Sequence, residues 1–188
     1  PGEVLAALAV VADGDHDAWA QAWRTLGGRV LADADAQLAA GHRVSACGSY
    51  LRAATYLGQA TNALVGAGRD DELLSSFRDH RRAWEAYLAS APLVAEAVQI
   101  PYEGTTLPGY LIRPVGDVVA RRTLVMTNGS DGSISDLWLS GGIAAHERGY
   151  TVLVYDGPGQ QSMLFERKTT FRPDWEAVLT PVVDALVA

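Results

Sequence analysis

Along the first half of the chain, apolar positions recur at helical intervals. From His16 to Val44, the residues Trp19, Trp23, Leu26, Val30, Leu31 and Leu38 build one apolar stripe of an α-helix. Gly27-Gly28 is where that helix would be interrupted. Asp13, Asp15 or Asp17 can cap its start, because a short carboxylate accepts from the free N–H groups there. Val44 to Leu64 carries a second stripe (Tyr50, Leu51, Ala54, Leu57, Leu64), with Gly66 and Gly68 as a stop. Asp70 to Ala89 carries a third, through Leu73, Leu74, Phe77, Trp84 and Leu88, and Pro92 closes the segment. Residues 1–93 therefore predict a bundle of three to four helices.

The grammar changes near residue 94. VAEAVQIPYEGTTLPGYLIRP alternates as β-strands do on both sides of Glu103-Gly104, which predicts a hairpin. Asp117 to Arg122 reads as a turn. Two continuously apolar runs follow, TLVMT (123–127) and TVLVY (151–155), as expected of strands buried on both faces. Between them lie the loop NGSDGS and an amphipathic helix, Asp136 to Arg148, with Leu137, Leu139, Ile143 and Ala144 on its apolar side. DGPGQ ends the second run. A polar stretch with a mobile look comes next, then a helix from about Pro173 with Trp175, Val178, Leu179, Val182, Val183 and Leu186 inside, kinked or divided at Pro181. Strand, loop, helix and strand make a right-handed βαβ unit after an antiparallel hairpin. Any site then belongs at the carboxyl ends of the parallel strands, in loops 128–133 and 156–162.

Composition narrows the function. At 188 residues, 48% hydrophobic and 20% charged, the chain can bury a core, and a formal charge of -7 argues against a nucleic-acid partner. No run reaches the roughly 18 apolar residues of a membrane span. The opening PGEVLAALAVVADGD lacks the basic start and cleavage site of a signal peptide, so a cytoplasmic location is expected. Cys47 stands alone and reads as a small core residue. His16 and His80 fall on polar faces, His146 on the βαβ helix and His42 at a helix junction, so none is expected in catalysis. Metal-ligand spacings and nucleotide-binding glycine loops are absent, which implies no metal and no cofactor.

The order hairpin, apolar strand, NGSDG, helix, apolar strand, DGPGQ resembles the start of the α/β-hydrolase fold. More narrowly, it is similar to the family of the fermentation-respiration switch protein FrsA, 2,6-dihydroxypseudooxynicotine hydrolase and the fungal Ayg-type polyketide chain-shortening hydrolases. The resemblance rests on IPYEGTTLPGYLIRP (100–114), TNGSDGS (127–133), RGYTVLVYDGPGQ (148–160) and AAGHRVSACGSYLRAATY (39–56). It implies an α/β fold in which 1–93 is a helical cap and 94–188 the first half of a catalytic sheet. It further implies a Ser-Asp/Glu-His triad that cleaves a C–C bond beside a carbonyl, or an ester, in a small polyketide-like molecule.

In that family, the amide after the loop glycine that follows the third strand serves the oxyanion hole. Here that amide is Ser130 N–H, with Gly129 permitting the turn and Asp131 facing the substrate. Asp156, Gly157, Pro158 and Gly159 correspond to a structural loop, and relatives often carry glycine at the position of Gln161. Tyr50, Tyr56 and Trp138 are candidates for lining the substrate pocket.

No G-x-S-x-G occurs in the sequence, so the nucleophile, acid and histidine are expected outside it. Together with the lack of an initial Met, this reads as part of a longer hydrolase or as one half of a split enzyme, whose other half is the expected partner. A half sheet alone would expose a strand edge, an aggregation hazard. A homodimer stays open. So does a non-catalytic binding module, since AAGHRVSACGSYLRAATYLGQA has the alanine spacing of helical-repeat pairs. No second copy appears at a period of about 34 residues, however, and a repeat array needs about three.

Overall fold

The computed structural model describes residues 2–116 and 122–187, so the turn expected at Asp117 to Arg122 lies, apart from Arg122, outside the described residues. The chain divides into two compact units, Pro1–Ala91 and Pro92–Ala188.

The first unit is helical: α1 (Gly2–Leu8), α2 (His16–Ala39), α3 (Arg43–Ala67) and α4 (Asp70–Ser90). Of the three candidate caps Asp15 is used, its carboxylate accepting from Ala18 N at 2.9 Å. Helix α2 is not broken at Gly27-Gly28. A Cβ at Gly27 would stand 2.8 Å from Leu57 Cγ, so glycine here lets α2 approach α3. Gly28 faces open space. Gly68, with φ 68°, closes α3 in the left-handed conformation that glycine adopts without strain.

His80 is the correction in this unit. Charged neighbours suggested a polar face, yet its spacing from Phe77 and Trp84 places it in the apolar stripe of α4, where it is fully buried. Burial, with Arg81 adding to it, pulls the imidazole pKa down to about 3, so the ring stays neutral.

The second unit pairs four strands in the order β1-β2-β4-β3. β1 (Val94–Tyr102) and β2 (Thr105–Arg113) form the expected hairpin. Positive φ at Glu103 (40°) and Gly104 (79°) makes the two-residue turn whose twist matches the strands. β2 runs antiparallel to β4 (Thr151–Tyr155), and β4 runs parallel to β3 (Thr123–Met126). β4, central in the sheet, is buried at every position. β3 was expected to match it but is only half-buried, because it is the last strand of the described sheet.

Between them, Ile134–Leu137 (α5), a π-helical turn Trp138–Gly142 and Ile143–Glu147 (α6) form one continuous helical stretch. It starts at a Ser133–Asp136 capping box, slightly ahead of the expected Asp136. Leu139, assigned to its apolar side, is 46% exposed, because the π turn rotates Trp138 inward instead.

The stretch after DGPGQ is also corrected: Gln161–Phe165 is a short helix, α7, and Asp156 to Met163 are all buried. α8 (Glu176–Val187) carries Pro181 without ending there. Its Val178 and Val182 join Ile100, Tyr102, Leu107, Leu153, Tyr155 and Met163 in one core, whereas Leu179 and Val183 turn outward.

Three outcomes are expected for the helical unit. Above pH 6.5 His80 is neutral whether the chain is folded or not; as pH falls toward 3 only the unfolded chain gains the proton. Stability is thus lost over that window by up to ~1.4 kcal/mol per pH unit. Urea midpoints between pH 7.5 and 5 should show this component in the native chain and lack it in His80→Leu; equal slopes would contradict it. In the same assay Gly28→Ala should gain up to ~1 kcal/mol from helix propensity. Gly27→Val should instead lose about 1–3 kcal/mol to overpacking against Leu57.

Candidate active site

Because β3 and β4 are parallel, their carboxyl ends open at one rim, and the two loops leaving them are neighbours. The loop after β4 is the rigid one. Asp156, fully buried, donates its N–H to Pro108 O at 2.9 Å. Its Oδ2 accepts from Ser162 Oγ at 2.6 Å and Ser162 N at 3.3 Å. Gly157 lies against the Trp175 ring, 2.9 Å from where a Cβ would sit. Gly159, with φ 79°, lies similarly against Phe171. The two rings stack with centroids 4.9 Å apart, so the glycines make room for an aromatic lid over the loop. Gln161 adopts φ 27°, a left-handed value that favours glycine and accords with the glycine often found there in the family it resembles.

Gln160, fully buried, links the loops. Its Oε1 accepts from Gly157 N at 2.8 Å, and its Nε2 donates to Asn128 O at 2.5 Å. Thr127 Oγ1 and Tyr155 OH add a second tie at 2.8 Å. Burial pushes the Tyr155 phenol up, and the hydrogen bond with Thr127 draws it partly back.

The loop after β3 is open by comparison. Gly129, Ser130 and Asp131 are exposed, and Ser130 Oγ donates to the Asp131 carboxylate. Gly129 was expected to permit the turn, but its φ is not positive and an added Cβ would meet nothing within 4 Å. The closer packing is at Gly132, where a Cβ would fall 2.0 Å from Asn128 Oδ1 and that side chain would have to shift. Beyond it the loop is fixed by Ser133, whose N–H donates to Asp136 Oδ2 at 3.0 Å while its Oγ accepts from Asp136 N at 3.2 Å.

An open hollow of ≈ 530 Å³ lies beside this rim, lined by Thr127, Asn128, Phe171, Arg172, Pro173 and Trp175. Arg172 is held in place by a two-pronged contact with Asp174 (2.8 and 2.6 Å) and by donating to Tyr102 OH and Glu103. This ties the segment after α7 to the hairpin tip.

The sequence motifs contain Gln160 and Gly132 without giving either a role, Trp175 is read only as an apolar position of the last helix, and Phe171 and Arg172 are not singled out. The only hint was the four-residue spacing of the two aromatics behind a glycine-rich loop. Of the candidate pocket aromatics, Tyr50 is buried and donates to Asp35 at 2.8 Å. Tyr56 is half-buried, donates to Glu3 at 2.8 Å and packs on Trp23. Trp138 is buried with its edge against His146. Cys47 is half-buried on α3, and burial raises its thiol pKa. Among the described residues no cluster of side chains could hold a metal ion, and no helix is long and apolar enough to cross a membrane.

No protein-family model matches the chain. It is, however, 36% identical over 190 residues to hydrolase LUC6 of Fusarium sp, covering 99% of this chain and 45% of that protein. It is 34% identical over 201 residues to hydrolase acrC of Aspergillus aculeatus (98% and 46%). It is 32% identical over 187 residues to 20-hydroxy-prefusarin hydrolase FUS2 of Gibberella moniliformis (97% and 45%). Among solved structures, 2,6-dihydroxy-pseudo-oxynicotine hydrolase superposes with a TM-score of 0.76 at 20% identity, over 100% of this chain and 53% of that one. The fold is that of part of an α/β-hydrolase, and the curated relatives are named hydrolases. The chain spans about half the length of the relatives it matches.

The packing sets an order of tolerance for alanine in the rim glycines. Gly159→Ala should lose at least ~2 kcal/mol, from its left-handed backbone and from contact with Phe171. Gly129→Ala should change stability by less than ~0.5 kcal/mol. Denaturant midpoints check this, and equal losses at the two positions would contradict the loop geometry described.

Proposed function

We propose that this chain, a relative of the α/β-hydrolases over nearly its whole length, supplies the helical cap and the oxyanion loop of a serine hydrolase. The nucleophile, acid and histidine come from beyond the 188 residues, in the same polypeptide or a second one. Residues 1–93 act as the cap and 94–188 as the first half of the catalytic sheet. The substrate is a small carbonyl compound of polyketide type, cleaved at a C–C bond next to the carbonyl or at an ester. The reading includes a cytoplasmic location and needs no metal or organic cofactor.

The observation that carries it is the convergence of an exposed Gly129–Asp131 loop and a buried Asp156–Ser162 loop at the carboxyl ends of two parallel strands. The outer side of β3 is unpaired among the described residues, which leaves room for a further strand carrying a nucleophile beside Ser130. The chemistry has one demanding point. When a serine hydroxyl adds to a carbonyl, the oxygen gains negative charge, and a fixed N–H donor within about 2.7–3.1 Å stabilises it. Ser130 N–H is assigned that task. Asp131 beside it, holding the Ser130 hydroxyl, lies where a substrate would enter.

Tyr50 and Tyr56 have both hydroxyls engaged within the helical unit. They and Trp138 would contribute to substrate only through their rings.

The test is kinetic. The full-length protein, assayed on a panel of acyl esters and β-diketones, should turn over at least one class. Ser130→Pro, which removes the amide hydrogen together with the hydroxyl that donates to Asp131, should lower kcat by about 10² to 10³. A folded variant with unchanged kcat would show that the donor is elsewhere. No turnover of any panel member by the native protein would count against the hydrolase.

A further inference from the structure

We propose that Gln160 is a positioning residue for the oxyanion loop: its amide pins the Asn128–Gly129 peptide and so aims the donor that follows. The proposal rests on the hydrolase reading above and adds to it the element that holds the donor in place.

Three observations point this way. Gln160 has no exposed surface, and both ends of its amide are engaged, Oε1 by Gly157 N–H and Nε2 by Asn128 O. Its acceptor contact lies within its own rigid loop, which Asp156 and the stacked Phe171–Trp175 pair already fix. Its donor contact reaches across 32 residues of sequence to the open loop. Gln160 thus transmits the order of one loop to the other.

The peptide geometry gives the contact its direction. In a trans peptide the C=O and N–H point opposite ways. With Asn128 C=O held toward Gln160, Gly129 N–H must face away from the buried loop. Ser130 N–H is one peptide further on, with the two torsions of Gly129 as the only joint between. Gly129 has no Cβ and meets nothing within 4 Å, so nothing local limits that joint. On the far side the loop is fixed by Ser133–Asp136 and by Asn128 folded over Gly132. Removal of the Gln160 contact would leave the start of residues 128–131 held only through β3 and the Thr127–Tyr155 tie, one residue short of the Asn128–Gly129 peptide.

Gln160→Glu in the full-length protein separates the two contacts. When ionised, at the alkaline end of the assayed pH range, it keeps an oxygen for Gly157 N–H but places an oxygen, not a donor, against Asn128 O. Two readouts are needed: steady-state kinetics, and hydrogen exchange of the 128–131 amides. Support is a fall in kcat on the order of 10² from misplacement of the donor, with KM within about threefold and faster exchange confined to 128–131. Unchanged kcat and unchanged exchange in the folded variant would overturn it. Should Gln160→Glu not fold, Gln160→Met, of similar length without donor or charge, is read in the same way. If the native protein turns over nothing while exchange at 128–131 still rises in the variant, the pinning stands and the hydrolase reading falls; active native protein with an indifferent variant sinks the positioning role alone.

Discussion

The parallel pairing of β3 with β4 is the constraint from which the rest of the second unit follows. Thr123 to Met126 lie opposite Thr151 to Val154 in register, so the chain must return along the sheet between the two strands and deliver both carboxyl ends to one rim. β4 is buried at every position, and its odd-numbered side chains, Leu153 and Tyr155, enter the core shared with α7 and α8. A one-residue slip in that register would turn those side chains to the opposite face and move both loops. The rim is therefore as well determined as the core beneath it.

At the rim, order is unequally shared. The loop after β4 is buried and tied by Asp156, Ser162 and Gln160, and two stacked aromatics cover its glycines. The loop after β3 is exposed and draws its order from neighbours: Gln160 at its start, the Ser133–Asp136 box at its end. Such a division suits a site in which a fixed donor must meet charge that develops in a reaction, since a preorganised dipole needs no rearrangement at the moment of need. In the proposed function the donor sits on one short exposed stretch above a rigid scaffold, an arrangement common to functional loops.

Much of this was legible in the residues. Helix stripes, the Glu103-Gly104 hairpin turn and the two apolar strand runs each carry a period or turn chemistry that acts locally, and the spans of α2, α3 and α4 lie close to those expected. What was not legible depends on partners distant in sequence. His80 sits among Arg78, Asp79, Arg81 and Arg82 and reads as polar until its spacing from Phe77 and Trp84 is weighed against those neighbours. Gly27 looked like a helix break because nothing local reveals Leu57 behind it. Gly129 is expected to permit the turn, whereas the close packing falls at Gly132, against the end of a side chain four residues back. Gln160 stands inside the DGPGQ motif, but its bridging role gives no signal, because a single amide joining two loops leaves no period in the sequence. The burial of β3 was overestimated for a different reason: an apolar run shows what a strand can tolerate, and its place in the sheet sets what it receives.

The central claim is that Ser130 N–H faces the point where an oxyanion forms. It is tested most directly by trapping the full-length protein with a phosphonate that reacts with activated serines and solving the structure of the adduct. The account predicts a phosphonyl oxygen within about 2.7–3.1 Å of Ser130 N, at the rim formed by 127–133 and 156–162. An adduct whose phosphonyl oxygen is held by other donors, with Ser130 N–H turned elsewhere, would contradict it.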